Sequence, residues 1–173
     1  MRVLVTAASK HGSTEEIAEA IANVLTKGGN DAEVIPPEEV ESLEEYEALV
    51  LGSAVYAGQW LEPAMDLVDR VAEVFTGRPV WLFSSGPVGE PRKPAEDPID
   101  LEELLAITGA RDHHVFPGKL VKKNLSFPER AITVALRVQE GDFRDWDEIE
   151  GWASRIADEL EGAAVAGESH ERG

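Results

Sequence analysis

Cysteine is absent from this 173-residue chain, which excludes disulfides, thiolate metal centres and cysteine nucleophiles. Positive charge is scarce: 16 Lys and Arg stand against 34 Asp and Glu, a formal net charge of −18. That argues against nucleic acid as the main partner, because phosphate binding needs a basic footprint. The balance suits a soluble, self-repelling protein, either an ordinary acidic enzyme or one from a salty cytoplasm. No apolar run approaches the roughly 20 residues of a membrane span. Met1-Arg2 leads straight into Val3-Leu4-Val5 with no hydrophobic signal region and no cleavage site, so a cytoplasmic location is expected. Internal repeats are missing too. Residues 1–161 are expected to form one domain and residues 162–173 a disordered tail.

What is present, 43% hydrophobic residues, is enough for a real core. Arg2–Thr6, Ala32–Ile35, Ala48–Gly52, Pro79–Phe83 and Asp112–Phe116 read as short apolar strands. Helices are expected between and after them. One starts at Ser13-Thr14-Glu15-Glu16, presents Ile17, Ala20, Ile21, Val24 and Leu25 on one face, and stops at Gly28-Gly29. Others span Leu61–Phe75, Ile99–Ile107 and Asp145–Leu160, the last with Trp146, Ile149, Trp152, Ala153, Ile156 and Leu160 facing the core. The stretch carrying Glu38, Glu39, Glu41, Glu44, Glu45 and Glu47 reads as a solvated acidic connection. Alternating strands and helices imply βαβ crossovers and a parallel sheet. The expected fold is α/β, doubly wound and flavodoxin-like, with five strands in the order 2-1-3-4-5 and helices on both faces.

In such sheets the ligand lies beyond the carboxyl ends of the strands. Three loops are candidates to line it. The first, Ser9-Lys10-His11-Gly12-Ser13-Thr14, runs into a helix N-terminus, where backbone N–H groups, hydroxyls and the helix dipole suit an anion. A capped helix after an ordinary turn is the equal alternative. The second, Ser53-Ala54-Val55-Tyr56-Ala57-Gly58 and on to Trp60, places aromatics on the ligand edge. Tyr56 is expected to stack on a flat ring, and Trp60 to pack on the following helix. The third, Ser84-Ser85-Gly86-Pro87-Val88-Gly89, offers hydroxyls and backbone donors. Missing patterns narrow the ligand. Neither the Gly-x4-Gly-Lys-Ser/Thr loop nor the Gly-x-Gly-x-x-Gly fingerprint occurs, which argues against a nucleoside triphosphate and a dinucleotide. The strand ends Val5-Thr6 and Gly52-Ser53 carry no phosphoacceptor aspartate.

Thr6–Ala22, Gly52–Trp60 and Phe83–Gly89 together resemble the three FMN loops of flavodoxin-domain proteins. The run Glu140-Gly141-Asp142-Phe143-Arg144-Asp145-Trp146 is similar to the branch of menaquinone-dependent protoporphyrinogen IX dehydrogenase. The resemblance implies FMN as cofactor, with its phosphate on Ser9–Thr14 and its isoalloxazine between Ser53–Gly58 and Ser84–Gly89. It implies an oxidoreductase that passes reducing equivalents to a quinone, in heme biosynthesis. The sequence departs from the pattern at His11, where flavodoxins often carry threonine, and in the third loop, which lacks a stacking aromatic. The alternatives are a plain flavodoxin-type electron carrier serving redox-partner proteins, and a fold that has lost its cofactor.

No catalytic side chain is assigned, since the redox chemistry resides in the flavin. His113 and His114 are adjacent on a strand, point to opposite faces and are not expected to share a metal. Asp66 and Asp69 are placed on a solvent face, and His170 in the tail. The segment Gly118–Val138 reverses the charge of the chain, with Lys119, Lys122, Lys123, Arg130 and Arg137 against Glu129. A helix is expected to start at Ser126-Phe127-Pro128-Glu129, with Phe127, Ala131, Val134 and Val138 on one apolar face. That face is expected to meet the domain's own core, a second subunit in a homodimer, an acidic partner, or the inner surface of the cell membrane.

Overall fold

The computed structural model describes residues 1–86, 101–135 and 137–170. Five strands run parallel: β1 (Arg2–Ala8), β2 (Asp31–Val34), β3 (Ala48–Tyr56), β5 (Val80–Ser85) and β6 (Asp112–Phe116). Their spatial order, β2-β1-β3-β5-β6, is the expected 2-1-3-4-5 counted over the parallel strands. A short β4 (Gln59–Trp60) folds back antiparallel on the end of β3, pairing Val55 with Trp60.

Side-chain alternation splits the core in two. Val3, Val5, Ala48, Val50, Trp81 and Phe83 point towards α1 (Ser13–Lys27) and α5 (Trp146–His170). Leu4, Leu49, Leu51, Val80 and Leu82 point towards α2 (Glu62–Val74) and α3 (Leu101–Thr108). With helices on both faces, nearly every position of a central strand is buried, hence the continuous apolar runs. The buried stripe of α1 is Ile17, Ala18, Ile21, Ala22 and Leu25; Ala20 and Val24 are only partly covered.

The central strands β1, β3 and β5 outrun their apolar segments by two to four residues at the carboxyl end. Ser53 to Tyr56 therefore belong to β3 and Ser84-Ser85 to β5, not to loops. The cause is register: Ala8 pairs with Ser53, and Ala54 with Ser85, so the ladder continues where the side chains become small. Between them Gly52 leaves room for a ring. A Cβ there would lie 2.2 Å from Phe83 Cζ, and Phe83 packs edge-on to Trp152 with ring centres 6.2 Å apart.

Three other expectations change. The acidic connection is pinned to the fold, because Val40, Leu43 and Tyr46 are buried and Arg70 and Arg78 donate to its carbonyls. Trp146 is 39% exposed and not in the core; it opens α5 and lies against the Arg144 guanidinium, 4.6 Å away. Helix α5 continues past Leu160 to His170, through an Ala-rich stretch of high helix propensity.

The segment after β6 forms an outlying unit. Strands β7 (Lys119–Leu120) and β8 (Gly141–Asp142) pair antiparallel at its base, and α4 (Phe127–Ala135) lies in the loop between them.

Candidate functional site

The loop between β1 and α1 is built for an anion. Gly12 is the N-cap, at φ +82°, a backbone conformation that costs glycine nothing. It brings no side-chain cap of its own to the helix start, where the first N–H groups lack intrahelical partners; one of them is taken within the loop. Ser9 Oγ accepts from the Thr14 backbone N–H at 3.3 Å. Thr14 itself is fully buried, and its Oγ1 has no hydrogen-bond partner among the described residues. A buried hydroxyl left unpaired carries a desolvation cost, and at this helix start it marks a place for an acceptor.

The basic side chains of the loop are already engaged. Lys10 Nζ lies 2.9 Å from Glu129 Oε1 and 4.8 Å from the centre of the Tyr56 ring. His11 Nε2 is 3.4 Å from the same carboxylate oxygen. Glu129 is the fourth residue of the Ser126-x-x-Glu129 capping box, and Ser126 N–H donates to its Oε2 at 2.7 Å. The hydrogen bonds from Ser126 first, and then from Lys10 and His11, outweigh partial burial and hold its carboxyl at about 2. Burial, reinforced by the Glu129 charge, pushes the Tyr56 phenol up to about 12. At neutral pH Tyr56 therefore presents an uncharged ring at the sheet's carboxyl edge.

Behind the loop stands Arg144, whose side chain is 2% exposed. It forks onto Asp142 at 2.8 and 2.7 Å and reaches Glu16 at 2.5 Å and the Ser13 carbonyl at 3.1 Å. Planar, bidentate pairing of this kind fixes orientation as well as charge. Glu16 is offset by Arg144 and by Lys119, whose Nζ is 3.9 Å from its Oε1, and Arg144 ties β8 to the start of α1.

The structure brings Ser9, Lys10, His11, Gly12, Ser13 and Thr14 into one loop beside Tyr56. The hydroxyls of Ser53 and Ser84 are engaged within the fold. Ser53 Oγ is used within the fold, donating to the Ala54 carbonyl and accepting from Leu61 N–H. Ser84 Oγ accepts from Trp60 Nε1 at 2.8 Å and lies 2.8 Å from His113 Nε2. Trp60 is buried in the same core cluster as Ala64 and Leu67 of α2, as its place before that helix implies. Ala57 (φ +51°) and Gly58 (φ +77°) make the turn between β3 and β4, and Gly86 follows β5 directly. Pro87, Val88 and Gly89 lie outside the described residues. His114 pairs with Glu148 at 3.0 Å, and the described residues hold no cluster of three or more metal-ligating side chains.

Sequence reasoning missed Glu129 and Arg144. The capping box announced Glu129 as a helix start, but its second partner lies 119 residues away. Arg144 lies in the Glu140–Trp146 run, where nothing in the sequence signals its contact with α1.

Residues 4–147 match the family profile described as "Flavodoxin domain". The chain belongs to the flavodoxin domain family. Solved structures agree on the fold. A flavodoxin from the domain Archaea is 22% identical, with a TM-score of 0.65 over 93% of this chain and 99% of its own. Flavodoxin 1 from Bacillus cereus is 18% identical, with a TM-score of 0.62 over 91% and 98%. The flavodiiron core from Synechocystis sp. PCC6803 is 18% identical, with a TM-score of 0.66 over 94% of this chain and 36% of that one. No curated protein sequence matches this one.

FMN is the cofactor of this flavodoxin-domain chain, and the residues present fit it. The α1 start, where Gly12 adds no side chain, and the orphan Thr14 Oγ1 suit a phosphate. The neutral Tyr56 ring and the turn at Ala57-Gly58 suit a flat ring system.

Proposed function

We propose that this flavodoxin-domain protein is an FMN-dependent oxidoreductase. In this reading it passes reducing equivalents from an organic substrate to a quinone, like the protoporphyrinogen IX dehydrogenase branch it resembles. When bound, FMN supplies the hydride and electron transfer. The chain's own residues bind and orient: Ser9, Gly12, Ser13 and Thr14 hold an anion, and Tyr56 offers an uncharged face. The observation that carries the finer reading is the place of the Glu140–Trp146 run. Its Arg144 is buried against the first turn of α1, and this tie between the segment that resembles the branch and the loop proposed to hold the phosphate supports the reading.

The flavodoxin neighbours and the −18 charge favour a second reading, an electron carrier without a small substrate of its own. Anaerobic steady-state assays of the FMN-loaded chain separate the two. Protoporphyrinogen-dependent reduction of a soluble quinone, at rates well above free FMN, supports the enzyme. Exchange with redox proteins alone, and none with quinone, overturns it in favour of the carrier.

A further inference from the structure

Helix α4 is amphipathic the wrong way round for a domain element. Its partly covered residues are Glu129 and Thr133, whereas Phe127 is 87% exposed, Val134 71% and Ile132 57%. At about 100° per residue, Phe127, Ala131, Val134 and Ala135 share the outward face, opposite Glu129 and Thr133. No residue of α4 is buried, so packing on the domain's own core is not what this face is for.

Its surroundings are mainly basic, the exception being Glu140, whose Oε1 accepts from the Lys122 N–H at 3.1 Å. Lys122 and Lys123 form a single exposed turn immediately before the helix. Arg130 donates to the carbonyls of Lys122, Lys123 and Leu125, and so holds that turn against α4. Arg137 closes the helix at φ +53°, with the Arg137 and Val138 N–H groups donating to the Val134 and Thr133 carbonyls. The one acid of the helix, Glu129, is turned inward on to Lys10, His11 and Ser126. The outward surface is thus apolar with a cationic border, on a chain that is otherwise strongly acidic.

We propose that α4 with its preceding turn is a docking surface for an anionic lipid membrane. Charge complementarity and size choose this occupant. Two copies facing each other through α4 would bring Lys122 and Lys123 of each against like charge, since a two-fold contact pairs a patch with itself. A nine-residue helix is about 13 Å long, too small for the roughly 800 Å² per partner of a stable protein interface. A membrane needs no such area, because apolar insertion and attraction to anionic headgroups add. The acidity of the remaining surface keeps other faces away from the bilayer, so contact occurs in one orientation. That orientation brings the lipid to the side of the domain where Glu129 meets Lys10 and Lys10 covers Tyr56. The inference does not depend on the identity of substrate or acceptor.

The test is flotation of the FMN-loaded chain with vesicles of phosphatidylcholine alone and of phosphatidylcholine with 30% phosphatidylglycerol, at about 0.1 and 0.5 M NaCl. Binding is expected to the anionic vesicles only, and to fall several-fold at the higher salt. Lys122→Glu with Lys123→Glu, and separately Phe127→Ser, should each weaken it at least about 10-fold. FMN titration of each variant is expected to match wild type, which reports an intact fold without relying on activity. Absence of binding to anionic vesicles at low salt overturns the proposal. So does equal binding by neutral vesicles, wild-type binding by both variants, or a concentration-dependent dimer abolished by Phe127→Ser.

Discussion

At the scale of single residues, an unpaired hydroxyl and a missing side chain decide the most. Thr14 Oγ1 is buried with no partner, so the fold without FMN carries a cost that the phosphate can remove. Thr14→Val keeps the shape and deletes the hydroxyl. Stability of the FMN-free chain is expected to stay level or rise slightly in urea titration. FMN affinity should fall by about 10-fold, or about 1.4 kcal/mol, the loss of one hydrogen bond to a charged group. A variant that loses stability and keeps its affinity would contradict the assignment. Gly52 is the opposite case, since the space above it is already filled by the Phe83 ring. Gly52→Ala should cost about 2–3 kcal/mol by overpacking, read as a lower midpoint at unchanged slope. Neither residue declared itself in the sequence. Thr14 was one hydroxyl of three in its loop, and Gly52 the end of an apparent strand. Trp146 misled, because helical spacing cannot distinguish a core position from a ring resting on Arg144.

Among the elements, helix α1 and the strand order were legible, because a doubly covered parallel sheet leaves continuous apolar runs and its crossovers have few solutions. The strand ends were not. Once β3 passes the core edge its residues become Gly52, Ser53 and Ala54, a loop-like composition, although the ladder to β1 and β5 continues. The acidic connection hid Val40, Leu43 and Tyr46 between its charges. Least legible was the contact between α4 and the anion loop, which joins distant parts of the chain through Glu129. Its carboxyl is held at about 2 by Ser126, Lys10 and His11, against an ordinary 4.5. A depressed folded value means that the ionised form stabilises the fold above the ordinary value. That contribution is lost as pH falls through the folded one. Glu129→Gln should therefore be less stable than wild type at pH 6–7. The gap is expected to stay constant down to about pH 5 and to close between about 4.5 and 2. Denaturant midpoints at a series of pH values would show this, and a gap that widens on acidification would refute the role given to Glu129.

For the whole molecule the governing quantity is its charge, which needs no structure to read. With 34 acidic residues and a net −18, the folded chain concentrates negative charge that the unfolded chain spreads out, so compaction works against self-repulsion. Counter-charges are local: Arg2 gathers Asp31, Glu33 and Glu45 at the amino end of the sheet, and Arg144 gathers Asp142 and Glu16 near the cofactor loop. Salt acts on both kinds of interaction but unequally. The Debye length falls from about 10 Å at 0.1 M to about 3 Å at 1 M, which removes repulsion between acids spread over the surface. The Arg144 pairs are short and drawn to a buried guanidinium, so they are screened much less. Repulsion is therefore the larger loss, and NaCl should stabilise this protein. Raising it from about 0.05 to 1 M is expected to lift the melting temperature by about 4 °C, equivalent to about 1–2 kcal/mol for a chain of this size. Sodium chloride is preferable to sulfate, which strengthens apolar burial in any protein. A melting temperature that is flat or falls over this range would mean that ion pairs outweigh repulsion, and that the acidic surface costs the fold little.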